Sequence, residues 1–263
     1  PKLSDLRSSI SVNTPDEQDP TATIKRGAGP SLKPYKAKQY DVGLEWYFAE
    51  ESLIATSVFF KNITGISSDS SDEVLNQAEL DRLGIDIGDM NPEDITWTVT
   101  QLENTEAEDM WGAEFIYQQP FSFLPEPFNN FGVQANYTYI DYTRDIEDPF
   151  YGNKLTLGEE ETSKNTYNLT LYYEVEDWSA RFSYNHRGGY NKQYLSEYKD
   201  ESTFVRGYDS KSKLNFSARY KLSESMSLSF EAVNLTDEKQ DMWNDIYSPR
   251  PYQNLSSGRQ FLM

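Results

Sequence analysis

Apolar and polar residues alternate with a period of two along most of the chain. Tyr40, Val42, Leu44, Trp46 and Phe48 alternate with Gln39, Asp41, Gly43, Glu45 and Tyr47. Leu214, Phe216, Ala218, Tyr220 and Leu222 alternate with Lys213, Asn215, Ser217, Arg219 and Lys221. The runs 131–139, 166–175, 178–185 and 226–232 do the same, and so do Trp111, Ala113, Phe115 and Tyr117. Such runs predict strands with one apolar and one polar face. The pattern predicts about nine of them, near residues 36–49, 52–64, 95–119, 131–145, 162–176, 178–190, 208–222, 225–237 and 257–263. Leu53 to Lys61 is apolar on both parities in places, which leaves its faces open. One short amphipathic helix is expected within Ser71–Gly84, capped by Ser71, with acids in its first turn and Gly84 at its end.

The connections alternate in length. Ala49 to Ser52, Glu176-Asp177 and Leu222 to Ser225 are tight, and Phe121 to Asn130 is somewhat longer. Between them lie long polar loops at 66–94, 146–161, 191–207 and 238–256. A soluble domain rarely tolerates several structureless loops above about 12–15 residues. A transmembrane β-barrel combines short periplasmic turns with long extracellular loops. Its strands cross the bilayer in about 9–11 tilted residues, and the runs 131–142 and 164–175 are long enough.

Alternation alone leaves two architectures open. In a soluble sandwich the apolar face is the core; in a membrane barrel it meets lipid and the polar face lines the interior. The aromatics favour the barrel. Trp46, Tyr47, Phe48, Tyr117, Phe121, Phe123 and Trp178 cluster beside the short turns, as an interfacial girdle does.

Composition narrows the function. The 263 residues include 43 Asp or Glu against 24 Lys or Arg, a formal charge of −19. That balance disfavours a nucleic-acid partner, which requires clustered Lys and Arg. Residues 66–109 hold 13 acids and one basic residue, Arg82, and residues 141–161 hold seven acids against Arg144 and Lys154. Most of the charge therefore sits in two expected loop regions. The absence of cysteine removes disulfides and thiolate chemistry. No apolar run approaches the ~18 residues of a membrane helix, and Pro1-Lys2-Leu3-Ser4 does not open a signal peptide.

The segment Leu32-Lys33-Pro34-Tyr35-Lys36-Ala37-Lys38-Gln39-Tyr40-Asp41-Val42-Gly43-Leu44-Glu45-Trp46-Tyr47-Phe48 resembles one found late in the barrel of TonB-dependent outer-membrane receptors. Phe59-Phe60-Lys61-Asn62-Ile63, Gly132 to Tyr139, Glu231-Ala232-Val233-Asn234-Leu235-Thr236-Asp237 and Ser257-Gly258-Arg259-Gln260-Phe261 resemble later family motifs, in order. The likeness is to the Xanthomonas- and Caulobacter-type branch. It implies an all-β chain, the C-terminal part of a 22-stranded antiparallel transmembrane barrel. On this reading residues 1–263 are truncated at both ends, and the plug domain and TonB box lie outside the chain. The resemblance further implies the outer membrane of a Gram-negative bacterium, surrounding outer-membrane lipid, the TonB complex as partner and a scarce small-molecule ligand, an oligosaccharide by likeness to that branch. A siderophore receptor and a soluble secreted carbohydrate-binding β-sandwich are the alternatives, with a passive porin behind them.

No catalytic motif accompanies the pattern, so no enzyme and no cofactor is expected. His186, the only histidine, shares parity with Trp178, Ala180, Phe182 and Tyr184 and reads as an outward side chain. Asp81, Asp86, Asp89, Glu93 and Asp94 lack EF-hand spacing and read as a solvated loop, so no metal site is assigned. Asn-x-Ser/Thr at Asn62, Asn136, Asn168, Asn215, Asn234 and Asn254 reads as chance in polar-alternating strands. The candidate ligand-binding residues are Trp97, Tyr190, Tyr194, Tyr198, Trp243, Tyr247 and Arg250, in or beside the expected outer loops. Tyr252 lies near them, with Arg187, Asn191, Gln193 and Asn244 as polar neighbours. Aromatic rings stack on the apolar C–H faces of sugars, while charged and amide groups bind hydroxyls.

Overall fold

The computed structural model describes residues 10–13, 22–26, 32–148, 152–194 and 205–263. In chain order the elements are β1 (Ile10–Asn13), β2 (Ala22–Arg26), β3 (Lys36–Ala49), β4 (Ser52–Glu73), α1 (Gln77–Leu83), β5 (Trp97–Pro120), β6 (Phe131–Glu147), β7 (Lys154–Gly158), β8 (Asn165–Glu174), β9 (Trp178–Arg187), β10 (Tyr190–Tyr194), β11 (Val205–Tyr208), β12 (Lys211–Ser223), β13 (Met226–Val233), β14 (Lys239–Asn244), β15 (Arg250–Ser256) and β16 (Gln260–Leu262). The chain divides into two compact units, residues 1–38 with 62–108 and residues 39–61 with 109–263.

In the smaller unit, β2 pairs antiparallel with β1 and parallel with the start of β5, Ala22 facing Trp97. Ala22, Ile24, Leu75, Leu80, Ile85, Ile87, Ile95, Trp97 and Val99 form its buried core. The helix starts later than Ser71. Asn76 caps it, accepting from the Glu79 amide at 3.0 Å while the Glu79 carboxylate accepts from the Asn76 amide at 3.0 Å. This reciprocal capping box outcompetes a lone serine, and residues 71–73 remain in β4. Gly84 ends the helix in the left-handed conformation, φ 68°. A seven-residue helix is unstable alone; the caps and fully buried Leu80 hold it.

In the larger unit the strands follow the order β3-β4-β5-β6-β8-β9-β12-β13-β16, with β7 paired to β6. From β5 onward these pairs are antiparallel. These are the nine strands expected from the alternation. β3 and β16 each pair on one side only among the described residues, so the sheet is open.

The register keeps like with like. Leu169 faces Tyr184, Leu171 faces Phe182 and Phe182 faces Phe216, while Asn168 faces Asn185 and Asn215 faces Ser183. The apolar face is uncovered: Trp178, Phe182, Leu171, Tyr220 and Leu228 are each more than two-fifths exposed. That is the reverse of a soluble sandwich, where this face would be the core, and it overturns that alternative. Rings line the sheet beside its short turns, with Trp46 5.4 Å from Phe48, Phe48 6.4 Å from Tyr117, Phe131 4.7 Å from Tyr173 and Tyr173 4.7 Å from Trp178.

The ambiguous run in β4 also resolves. Val58 and Phe60 are exposed, whereas Ser57 shares the polar face with Glu114, its hydroxyl 3.4 Å from that carboxylate. Phe59 covers Gly112, where a Cβ would overlap its ring. An apolar residue on the polar face thus shields a glycine rather than breaking the alternation.

The polar face carries a ladder of asparagines across successive strands. Asn168 donates to Asn136 at 2.7 Å, Asn185 to Asn168 at 2.6 Å and Asn215 to Asn185 at 3.3 Å. The Asn234 amide donates to Asn215 at 2.9 Å. Four of the asparagines that read as chance glycosylation patterns therefore share one hydrogen-bonded row.

The long connections are more regular than expected. Residues 66–94 include the end of β4, α1 and a 3-10 turn at Pro92–Asp94, and residues 146–161 contain β7. The segments 191–207 and 238–256 contribute to a separate antiparallel sheet, β10-β11-β14-β15. Backbone groups that an irregular loop would leave to water are paired there.

Candidate functional site

The four-stranded sheet gathers most of the candidate residues. Tyr190 faces Tyr208, Gly207 faces Trp243 and Asn244 faces Arg250. The Trp243 ring lies on Gly207, where a Cβ would overlap it. A glycine is required at that position because the indole occupies the side-chain space.

Trp243 and Arg250 line one cavity of about 580 Å³, with Tyr252, Gln253, Asn254 and Asp241. Arg206 lies 4.3 Å from the centre of the Tyr252 ring and donates to Asn244 at 2.9 Å. Arg250 is 3.6 Å from the Asp245 carboxylate. Asp245, at a positive φ of 75°, also accepts from the Tyr247 amide at 3.0 Å, which fixes the turn between β14 and β15. The arrangement offers ring faces, amides and both signs of charge in one concavity.

Tyr190 lines a second, smaller cavity of about 190 Å³ with Arg187, Lys211 and Lys213. The Arg187 guanidinium is 3.9 Å from the centre of the Tyr190 ring, a cation–π distance.

Of the remaining candidates, Tyr194, Tyr247 and Trp97 make contacts within the fold. Tyr194 donates its hydroxyl to the Gly158 carbonyl, and its amide donates to Glu160 at 2.8 Å. Burial pushes the Tyr194 phenol above its ordinary pKa, so it stays neutral. Tyr247 donates to the fully buried Asp148 at 2.6 Å and ties the β14–β15 turn to the segment after β6. Trp97 is fully buried in the core of the smaller unit and shows no ring face to solvent. Tyr198 lies outside the described residues. Nearby, Lys192 hydrogen-bonds Glu161 and holds that carboxyl below the usual range.

Sequence reasoning missed Arg206, Tyr208 and Gln253. Their positions in short, irregularly spaced strands carry no periodic signal. His186 stacks on Tyr167 at 4.4 Å and contacts the Ser212 hydroxyl at 2.9 Å. Among the described residues no three His, Asp or Glu side chains converge as a metal site.

Residues 1–235 match the family model described as TonB dependent receptor-like, beta-barrel. No curated protein sequence matches the chain. Among solved structures, a mutant of the ferric enterobactin receptor of Pseudomonas aeruginosa has a TM-score of 0.64 at 17% identity, over 99% of this chain and 35% of that one. Another mutant of that receptor, in complex with enterobactin, gives 0.65 at 17% identity, over 99% and 36%. The siderophore receptor PirA of Acinetobacter baumannii gives 0.55 at 16% identity, over 83% and 30%. At these identities the likeness is one of fold. The chain spans about a third of the length of the receptors it matches.

Proposed function

The chain belongs to the TonB-dependent receptor-like β-barrel family of the Gram-negative outer membrane, and we propose that it supplies barrel wall and ligand contacts for TonB-energised uptake of an oligosaccharide. On this reading the β10-β11-β14-β15 sheet and the connections 66–94 and 146–161 face the cell exterior. Ligand is captured there, and TonB acts through a plug outside this chain. Transport breaks no bond in the ligand, so the receptor works by binding and conformational change rather than catalysis.

The observation that carries the ligand class is the 580 Å³ cavity at Trp243. It falls within the roughly 300–1,000 Å³ of small-molecule sites. Its lining joins the rings of Trp243 and Tyr252 to the amides of Gln253 and Asn254 and to Arg250. Rings match the C–H faces of a sugar, and the amides and the guanidinium match its hydroxyls.

The test is oligosaccharide binding and uptake by the receptor that carries this chain. Trp243→Ala is expected to weaken binding about tenfold, the loss of one stacked ring, with barrel assembly intact. Unchanged affinity removes the cavity from the ligand path. A receptor needed for growth on a ferric siderophore, and dispensable for growth on every saccharide offered, replaces this reading with the siderophore one.

A further inference from the structure

Arg187, the last residue of β9, directly faces Lys211, the first residue of β12, and Lys213 follows two positions along the same polar face. Like charges directly opposite each other in a sheet are destabilising. Here they gather in a chain whose net charge is −19. All three line the 190 Å³ cavity, with Asp209 as its one acidic lining residue. Among the described residues no carboxylate lies within 4.0 Å of any of their side-chain nitrogens.

Arg187 is held by neutral partners. Its Nε donates to the Ser163 hydroxyl at 2.8 Å and an Nη to the Glu161 carbonyl at 2.6 Å. These bonds fix its charge in position, and the Glu161 carboxylate acts on it only from beyond ion-pair distance. Glu238, near Lys211, accepts instead from the Ser212 amide at 3.2 Å. The rest of the lining includes the uncharged amide side chains of Asn168, Asn185 and Gln240. The like-charge cost is offset only beyond ion-pair distance, by Glu161 towards Arg187 and Glu238 towards Lys211, and by the Tyr190 ring against Arg187; a cation cluster with no direct carboxylate partner suits an anionic ligand.

We propose that Arg187, Lys211 and Lys213 form a subsite for an anionic group of the ligand, so that the oligosaccharide is an acidic one bearing carboxylate or sulfate. This rests on the oligosaccharide reading above. The volume decides the scale: about 190 Å³ is too small for an oligosaccharide but admits one charged group. Asp209 lines both this cavity and the one at Trp243, so the two adjoin. A chain of sugars stacked at Trp243 and Tyr252 reaches the cations with one acidic substituent. Asp209 excludes a second anion by repulsion, which makes the subsite selective for a single charge at that point.

The test measures binding to the full receptor by calorimetry. The ligands are carboxylated oligosaccharides with their methyl esters, sulfated oligosaccharides with their desulfated forms, and a ferric catecholate complex. The wild-type receptor is expected to prefer an acidic saccharide over its neutral counterpart by about tenfold, the worth of one charge-assisted contact. That preference should fall as salt rises. Lys211→Gln with Lys213→Gln is expected to erase it, so that the acidic saccharide binds that variant no better than its neutral counterpart does. Arg219→Gln, on the same face but outside the cavity, is expected to keep it. Heat-modifiable migration of the barrel confirms that each variant is assembled. A preference that survives the double variant overturns the proposal, as does a wild-type receptor that favours the neutral forms or binds nothing in the set. If the ferric complex alone binds, the oligosaccharide reading fails. The anionic subsite then stands if the double variant weakens that complex, and falls if it does not.

Discussion

Gly207 and Trp243 act as one unit. The indole occupies the space above the glycine, and the Tyr190 carbonyl is also close. Gly207→Ala is therefore expected to displace the ring and to weaken ligand binding as much as Trp243→Ala does, although it adds only one methyl group. Ligand titration of the two variants side by side checks this; a Gly207→Ala receptor with native affinity shows that the ring position is immaterial. Tyr194 makes a different prediction. Its phenol is raised by burial, and it donates to the Gly158 carbonyl. A raised pKa stabilises the fold fully below the unfolded phenol value, and that contribution is lost as pH rises through the folded value. The sheet edge at Tyr194 should thus become more susceptible to protease as pH passes the ordinary phenol range of about 10. Tyr194→Phe should lack that pH step; proteolysis with the same step in both proteins assigns it elsewhere.

Among the elements, the asparagine ladder links β6, β8, β9 and β12 and reaches the end of β13. Asn168, Asn185 and Asn215 each donate to one neighbour and accept from the next, so removing a middle member leaves two others partly unsatisfied. Asn185→Leu is expected to destabilise the barrel by about 1–3 kcal/mol. Asn254→Leu, on exposed β15, should cost far less. Urea unfolding in detergent reads both, and equal midpoints for the two variants contradict a ladder that supports the sheet. The same row explains why Asn-x-Ser/Thr patterns recur: asparagine alternates with small hydroxyl residues along the polar face of each strand.

For the molecule as a whole, the uncovered apolar face decides where it resides. Large side chains such as Phe182, Leu171 and Leu228 are more than two-fifths exposed and form contiguous rows. In water such an area drives association; in a bilayer it meets lipid tails. The receptor is therefore expected to remain in the membrane pellet through high-salt and alkaline carbonate washes and to leave it only in detergent. Release by carbonate shows a peripheral protein instead.

The alternation along the chain was sufficient for nine strands and for the two faces of all but the Leu53–Lys61 run, because a period of two is a local property that survives any register; the faces of that run were decided by Phe59 packing over Gly112. It also carried the aromatic rows, since rings at strand ends remain at strand ends. The helix end at Gly84 was equally legible, whereas its start was not, because Ser71 and Asn76 are both good caps and only the Glu79 reciprocal bond separates them. The candidate site was legible as a set of residue types in 190–252 and not as an arrangement. Trp97 has the same chemistry as Trp243, yet one is enclosed among Ile24 and Leu80 and the other lies on Gly207. Pairing between β9 and β12, and between β11 and β14, joins residues more than 20 positions apart. Only that pairing sets Arg187 against Lys211 and turns scattered loop aromatics into a lined cavity, because hydrogen-bond register between distant strands is determined by the folded sheet and by no single stretch of sequence.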